Sequence, residues 1–203
     1  MPAKDHLITK ADIVPDAVYA AQRKARRAAL LPAKRLRRVA LGPYCTLIFE
    51  SFETMLFQVQ EMLLTEKGGD AQLPDELAAY NPLIPRGDEL VATVLFEIDE
   101  PVRRARVLGE LGDVEDHFFL EIGAARAPGL AEGDIERTRE DGKTSSVHFL
   151  HFHLTPHQIT AFRDPAVPLR IGCDHPRYAH LAALSAETRE ELGRDLSQKA
   201  AGR

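Results

Sequence analysis

Tryptophan is missing from this chain of 203 residues, cysteine occurs only twice and methionine three times. The two cysteines, Cys45 and Cys173, stand far apart and outside any Cys-x-x-Cys pair. That excludes zinc ribbons and disulfide frameworks and leaves two buried thiols as the expectation. Long apolar runs are missing too. Nothing approaches the roughly 20 residues that cross a bilayer, and the first ten residues lack the apolar stretch of a secretion signal. A cytoplasmic protein with no membrane partner is expected. Gly-x-Gly-x-x-Gly, the P-loop, Gly-x-Ser-x-Gly, His-Glu-x-x-His and the Glu-x-x-His of di-iron bundles do not occur, so no enzyme class is indicated.

What is present is an ordinary globular composition, 44% hydrophobic and 28% charged, at a length that buries a real core. The net charge of −5 disfavours general nucleic-acid affinity. It is unevenly spread, however. Residues 17–49 hold eight Lys or Arg and no acid, so the rest carries −13, which with +8 makes −5. Three readings of the basic stretch follow: a solvated helix face, a helix folded back on an acidic body, or an RNA-contacting arm. The expected division is a basic helical arm at 1–36 and one α+β domain at 37–203.

Apolar spacing and turn residues predict a helix from Pro15-Asp16 to Leu31, stopped by Pro32. A hairpin at 37–50 follows, turning at Gly42-Pro43-Tyr44. Phe52, Met55, Leu56, Val59, Met62 and Leu63 recur at three and four, which predicts a helix over 52–66 ended by Gly68-Gly69. Pro74–Tyr80 reads as a short helix and Asn81–Gly87 as a rigid loop. Then come a strand at 90–98, a helix opened by Glu100-Pro101, a strand at 117–122, and an excursion over 123–142 with one helical turn at 134–139. The longest β-type run is 145–154, followed by a helix opened by Thr155-Pro156, a strand at 167–172 and a helix over 185–198. Strand, helix, strand, strand, helix, strand over residues 90–172 is the order of a split βαβ (ferredoxin-like) antiparallel sheet.

In that topology the end of the last strand lies roughly 10 Å from the start of the 145–154 strand. His148, Asp174 and His175 would then converge as metal ligands for iron or zinc, near Asn81. Glu50 and Glu61 complete the candidate pocket. His148 shares its face with Leu150, Phe152 and Leu154, and a histidine on an apolar face more often serves the core than a ligand. His151 and His153 form His-x-His on the other face, a spacing that suits one metal ion but needs further ligands.

Arg37-Arg38-Val39-Ala40-Leu41-Gly42-Pro43, Thr46-Leu47-Ile48-Phe49-Glu50, Gln58-Val59-Gln60-Glu61-Met62-Leu63, Tyr80-Asn81-Pro82-Leu83-Ile84-Pro85, Ser146-Val147-His148-Phe149-Leu150 and Asp174-His175-Pro176 together resemble an uncharacterised bacterial domain-of-unknown-function family. The resemblance covers nearly the whole chain. It implies a genomic setting near rubrerythrin-like and iron–sulfur oxidoreductases, hence an accessory or binding role beside redox or peroxide-handling proteins. Asn81, His148, Asp174, His175, Glu50 and Glu61 match the family's motifs, whereas His151 and His153 depart from them. A homo-oligomer is left open.

Overall fold

The computed structural model describes residues 7–132 and 144–197. The helices are α1 (Asp16–Leu36), α2 (Phe52–Glu66), α3 (Gly69–Tyr80), α4 (Pro101–Gly109), α5 (Pro156–Arg163) and α6 (Ala186–Leu192). The strands are β1 (Arg38–Leu41), β2 (Cys45–Phe49), β3 (Glu89–Phe96), β4 (Phe118–Ile122), β5 (Ala125–Pro128), β6 (Leu130–Ala131), β7 (Val147–His153), β8 (Leu169–His175) and β9 (Tyr178–Ala183). The fold is α+β, as expected. The helical turn expected at 134–139 and the last residue of the 185–198 helix lie outside the described residues.

Strand β3 explains the layering. Its Leu-Val-Ala-Thr-Val-Leu run is apolar at every position but Thr93, and a strand of that kind needs cover on both faces. It is the middle strand of a five-stranded antiparallel sheet, order β1-β2-β3-β7-β6, here called sheet A. The inner face of sheet A packs on a four-stranded antiparallel sheet, β5-β4-β8-β9, sheet B. Leu47, Val94, Leu150 and Phe152 meet Phe118, Leu120, Ile171 and Cys173 there in one core. The outer face carries Val91 and Phe149 against Met55, Val59 and Leu63 of α2 and Leu73 of α3.

This corrects the split βαβ expectation. The first and third strands of that order, β3 and β7, are neighbours as it requires but run antiparallel, and the second and fourth, β4 and β8, leave them and pair with each other in a second sheet. The reason lies in the segment read as an excursion. It contains β5, which hairpins back on β4, and β6, which joins the far edge of β7. Between them the chain changes sheets at Gly129, where an added Cβ would stand 3.0 Å from Phe152 and 3.3 Å from Leu150 and Phe118. Bare backbone is what fits between the two layers at that point.

Helix α1 also differs from expectation, because it continues through Pro32 to Leu36. Proline removes one helical N–H, but Ala28, whose carbonyl loses that donor, is exposed and meets water. The basic stretch is packed on the body. Tyr19 is 1% exposed and stands edge-on to Phe57, and Arg23 grips Glu61 of α2 through Nε and Nη2 at 2.8 and 2.6 Å. Among the described residues no helix is long and apolar enough to cross a membrane.

Polar side chains close the remaining seams. Arg37, 3% exposed, reaches Glu191 Oε1 at 2.9 Å, both Asp195 oxygens at 2.7 and 2.9 Å, and the Glu50 and Glu191 carbonyls at 3.0 and 3.5 Å. The Tyr178 hydroxyl donates to the Leu41 carbonyl and accepts from the Tyr44 and Cys45 N–H groups, tying the β1–β2 turn to β9. Gly42 in that turn has φ +69°, and a Cβ there would stand 2.4 Å from the His180 ring.

Two stability outcomes follow. Arg37→Met leaves the largely buried Asp195 carboxylate without its cation and Glu191 with only the exposed Arg194, so urea unfolding should show a loss of about 3–5 kcal/mol. A loss below about 1 kcal/mol would mean that the cluster is not structurally required. Gly42→Ala should cost at least about 1 kcal/mol for the left-handed backbone and a comparable amount for overpacking His180. Repeating the substitution in a His180→Ala background should remove the second part and keep the first.

Candidate functional site

The residues singled out from sequence occupy separate places. Asn81 closes a two-point amide clamp on Ile8: its Oδ1 accepts from the Ile8 N–H at 2.7 Å and its Nδ2 donates to the Ile8 carbonyl at 3.1 Å. Gln60, 1% exposed, grips Val14 in the same way at 2.9 and 3.2 Å. Together they hold the segment before α1 against α2, where Ile8 is buried. Glu50, also buried, accepts from the hydroxyls of Thr54 at 2.7 Å and Thr93 at 2.6 Å. Glu61 accepts from Arg23 and from Tyr19 at 2.7 Å, and the Arg23 hydrogen bond holds its carboxyl below the usual range. Each is an architectural bond.

His148 lies between the sheets, fully buried, edge-on to Phe96. Its Nε2 sits 2.9 Å from the Ser145 carbonyl, which only accepts, so that nitrogen carries the proton. The buried Glu115 carboxylate stands 3.6 Å from Nδ1. His175 is fixed in the same tautomer. Its Nε2 donates to the Gly112 carbonyl at 3.2 Å and its Nδ1 accepts from the Arg177 N–H at 3.2 Å. Burial, reinforced by nearby His117, keeps His175 below the ordinary imidazole range and therefore neutral. Both of its ring nitrogens are occupied.

Asp174 lies on the exposed side of sheet B and accepts from His117 Nδ1 at 3.0 Å, with Arg126 at 3.4 Å. The turn Val114–His117 thus supplies two partners that sequence reasoning missed, Glu115 for His148 and His117 for Asp174 and His175. Among the described residues no three His, Cys, Asp or Glu side chains stand ready as a metal-binding group. The structure does not bring His148, Asp174 and His175 together as one. The two cysteines are buried thiols: burial pushes Cys173 up to about 11 and Cys45 higher still, so neither ionises readily.

Two arrangements remain with unused capacity. The first is the His-x-His pair of β7. In register, His153 faces Glu89 and His151 faces Val91 across the β3–β7 ladder, all on the outer face of sheet A. Both imidazoles reach one Glu89 oxygen, His151 Nδ1 at 2.9 Å and His153 Nδ1 at 3.4 Å, and Glu89 is buried. Glu89 was missed from sequence because the strand was begun at Leu90; its signal was the cross-strand register.

The second is a groove of about 250 Å³ between α1 and the β1–β2 hairpin. Arg27, Lys34, Arg35 and Arg38 surround a floor of Leu31, Ile48 and Phe57, and no acid lines it. Arg38 is anchored by Glu97 at 2.6 Å and Lys34 lies over the Phe57 ring at 5.8 Å. The groove offers fixed positive charge beside apolar surface.

Comparison with known proteins supplies a family. The family model for "Protein of unknown function (DUF3501)" matches residues 7–196. The chain is similar to a novel protein of unknown function from Burkholderia pseudomallei K96243, known from its crystal structure. The two are 34% identical with a TM-score of 0.86, over 94% of this chain and 99% of that one. No curated protein matches. With nearly its whole length accounted for in sequence and its fold shared with that relative, the chain belongs to the DUF3501 family of proteins of unknown function.

Proposed function

We propose that the protein is a binding module, an accessory to redox or peroxide-handling proteins, that holds an acidic segment of its partner in the groove on α1. The observation that carries this reading is the groove itself: an apolar floor ringed by four cations, of which, among the described residues, only Arg38 is paired to an acid, Glu97, outside the lining, on a protein whose net charge is −5. Sustaining that much like charge at one place, while the body is acidic, favours a ligand that is both negative and partly apolar. An aspartate- or glutamate-rich segment carrying one leucine or phenylalanine has that chemistry. The redox character of the partner is supported by the resemblance described above.

A metal-dependent enzyme or sensor using His148, Asp174 and His175 has less support. His175 has both ring nitrogens occupied, and His148 turns its proton to a carbonyl. An RNA contact through the same basic helix shares the electrostatics but leaves the apolar floor without a role, and the acidic body repels a long polyanion.

Native co-purification followed by mass spectrometry and visible spectroscopy tests the proposal. An iron-containing or peroxide-reducing protein should be retained, and Lys34→Glu with Arg35→Glu should weaken retention about tenfold or more, the effect of about 1.4 kcal/mol. Retention unchanged by the two reversals would overturn the reading. Loss of the complex on ribonuclease treatment would replace it with the RNA contact.

A further inference from the structure

The geometry points to a binding site for a zinc-class divalent transition metal ion at Glu89, His151 and His153, independent of the groove on α1. The placement comes from register alone. His151 and His153 are two apart on β7 and so share a face, and Glu89 is the direct cross-strand partner of His153 on β3. The Glu89 side chain is 3% exposed, and a carboxylate so buried requires a cationic or donating partner. The partners that converge on it are the two imidazoles, both at the same oxygen, 2.9 and 3.4 Å away.

Those two nitrogen–oxygen separations are close to the spacing of neighbouring ligands on a single ion. Two donor atoms each about 2.1 Å from a zinc ion and about 90–110° apart stand about 3.0–3.4 Å from one another. Two imidazole nitrogens and one carboxylate oxygen form a donor set that suits zinc or cobalt(II) and disfavours calcium and magnesium, which take oxygen alone. Access is provided by His153, whose side chain is 59% exposed, while His151 at 16% and Glu89 at 3% form the fixed wall. As they stand, His151 is hydrogen-bonded to Glu89, His153 lies within ion-pairing distance of it, and the three are not a ready metal-binding group. The ion enters by turning the exposed His153 ring and displacing the protons on the two Nδ1 atoms. A neutral imidazole then carries its proton on Nε2, and a charged one releases its second proton to solvent.

Cobalt(II) titration of untagged, chelator-treated protein tests the site, because a tetrahedral cobalt centre has visible absorption bands. About one equivalent should bind per chain and be displaced by zinc. His153→Ala removes a largely exposed ring and should leave the circular dichroism unchanged while weakening binding at least about tenfold. Glu89→Gln should do the same, and His157→Ala, on the exposed surface of α5, should bind as the parent does. Ring-nitrogen NMR should show the signals of His151 and His153 moving on zinc addition. The site is refuted by binding below about a tenth of an equivalent, or by His153→Ala binding cobalt as tightly as the parent. Should Glu89→Gln fail to fold, His153→Ala and the NMR signals still decide.

Discussion

Arg37 stands where helix α1 becomes strand β1, and each of its five N–H groups meets an oxygen supplied from elsewhere in the fold. Two carboxylates come from the C-terminal region, more than 150 residues away in sequence, and one carbonyl from the β2–α2 junction. Removing a guanidinium from water is expensive, and only a complete set of acceptors offsets it. The geometry of the whole corner is therefore defined together: where α1 ends, how β2 leads into α2, and where the chain after α6 packs. Burial raises the Asp195 carboxyl against the pull of Arg37, so that carboxylate is held charged by the arginine rather than by solvent. Neither partner is tolerable alone.

The same logic recurs at smaller scale. Asn81 and Gln60 each present an amide that imitates a peptide group, accepting and donating to a backbone segment with no sheet to join. Tyr178 gives one hydroxyl three backbone partners across the two sheets. Residues that look like active-site chemistry in a motif are in this family member the means by which irregular backbone is satisfied. The two proposed ligand sites, the α1 groove and the pair of histidines beside Glu89, lie outside these closures.

How far the fold was readable from sequence depended on the range of the determining contact. The helix over 52–66 was legible because its apolar period is local, and so were the Pro101 and Thr155-Pro156 helix starts. The hairpin at Gly42 and the run at 147–153 were legible for the same reason. Strands β5 and β6 were not, since Ala-Arg-Ala-Pro and Leu-Ala carry no periodicity and exist only because β4 and β7 offer them edges. Strand β9 was hidden behind Asp-His-Pro, which reads as the end of a strand but is the approach to a tight hairpin. Asn81, Glu50 and Glu61 were found as residues that matter, while their partners Ile8, Thr93 and Tyr19 lay too far along the chain to be inferred. His148 was rightly placed facing inward, yet the residues opposite it depended on a strand order that local pattern does not encode.

The crossing at Gly129 has one more consequence. Strands β1 to β3 belong to sheet A, β4 and β5 to sheet B, β6 and β7 to sheet A again, and β8 and β9 to sheet B. Neither sheet is made from a continuous stretch of chain, so any fragment that contains one complete sheet also carries strands of the other. During synthesis the first three strands emerge with one edge of β3 vacant until β7 arrives, more than 50 residues later. Assembly is governed by these distant pairings, which makes it slow for its size and all-or-none in character. A chain interlaced in this way loses both layers when it loses either.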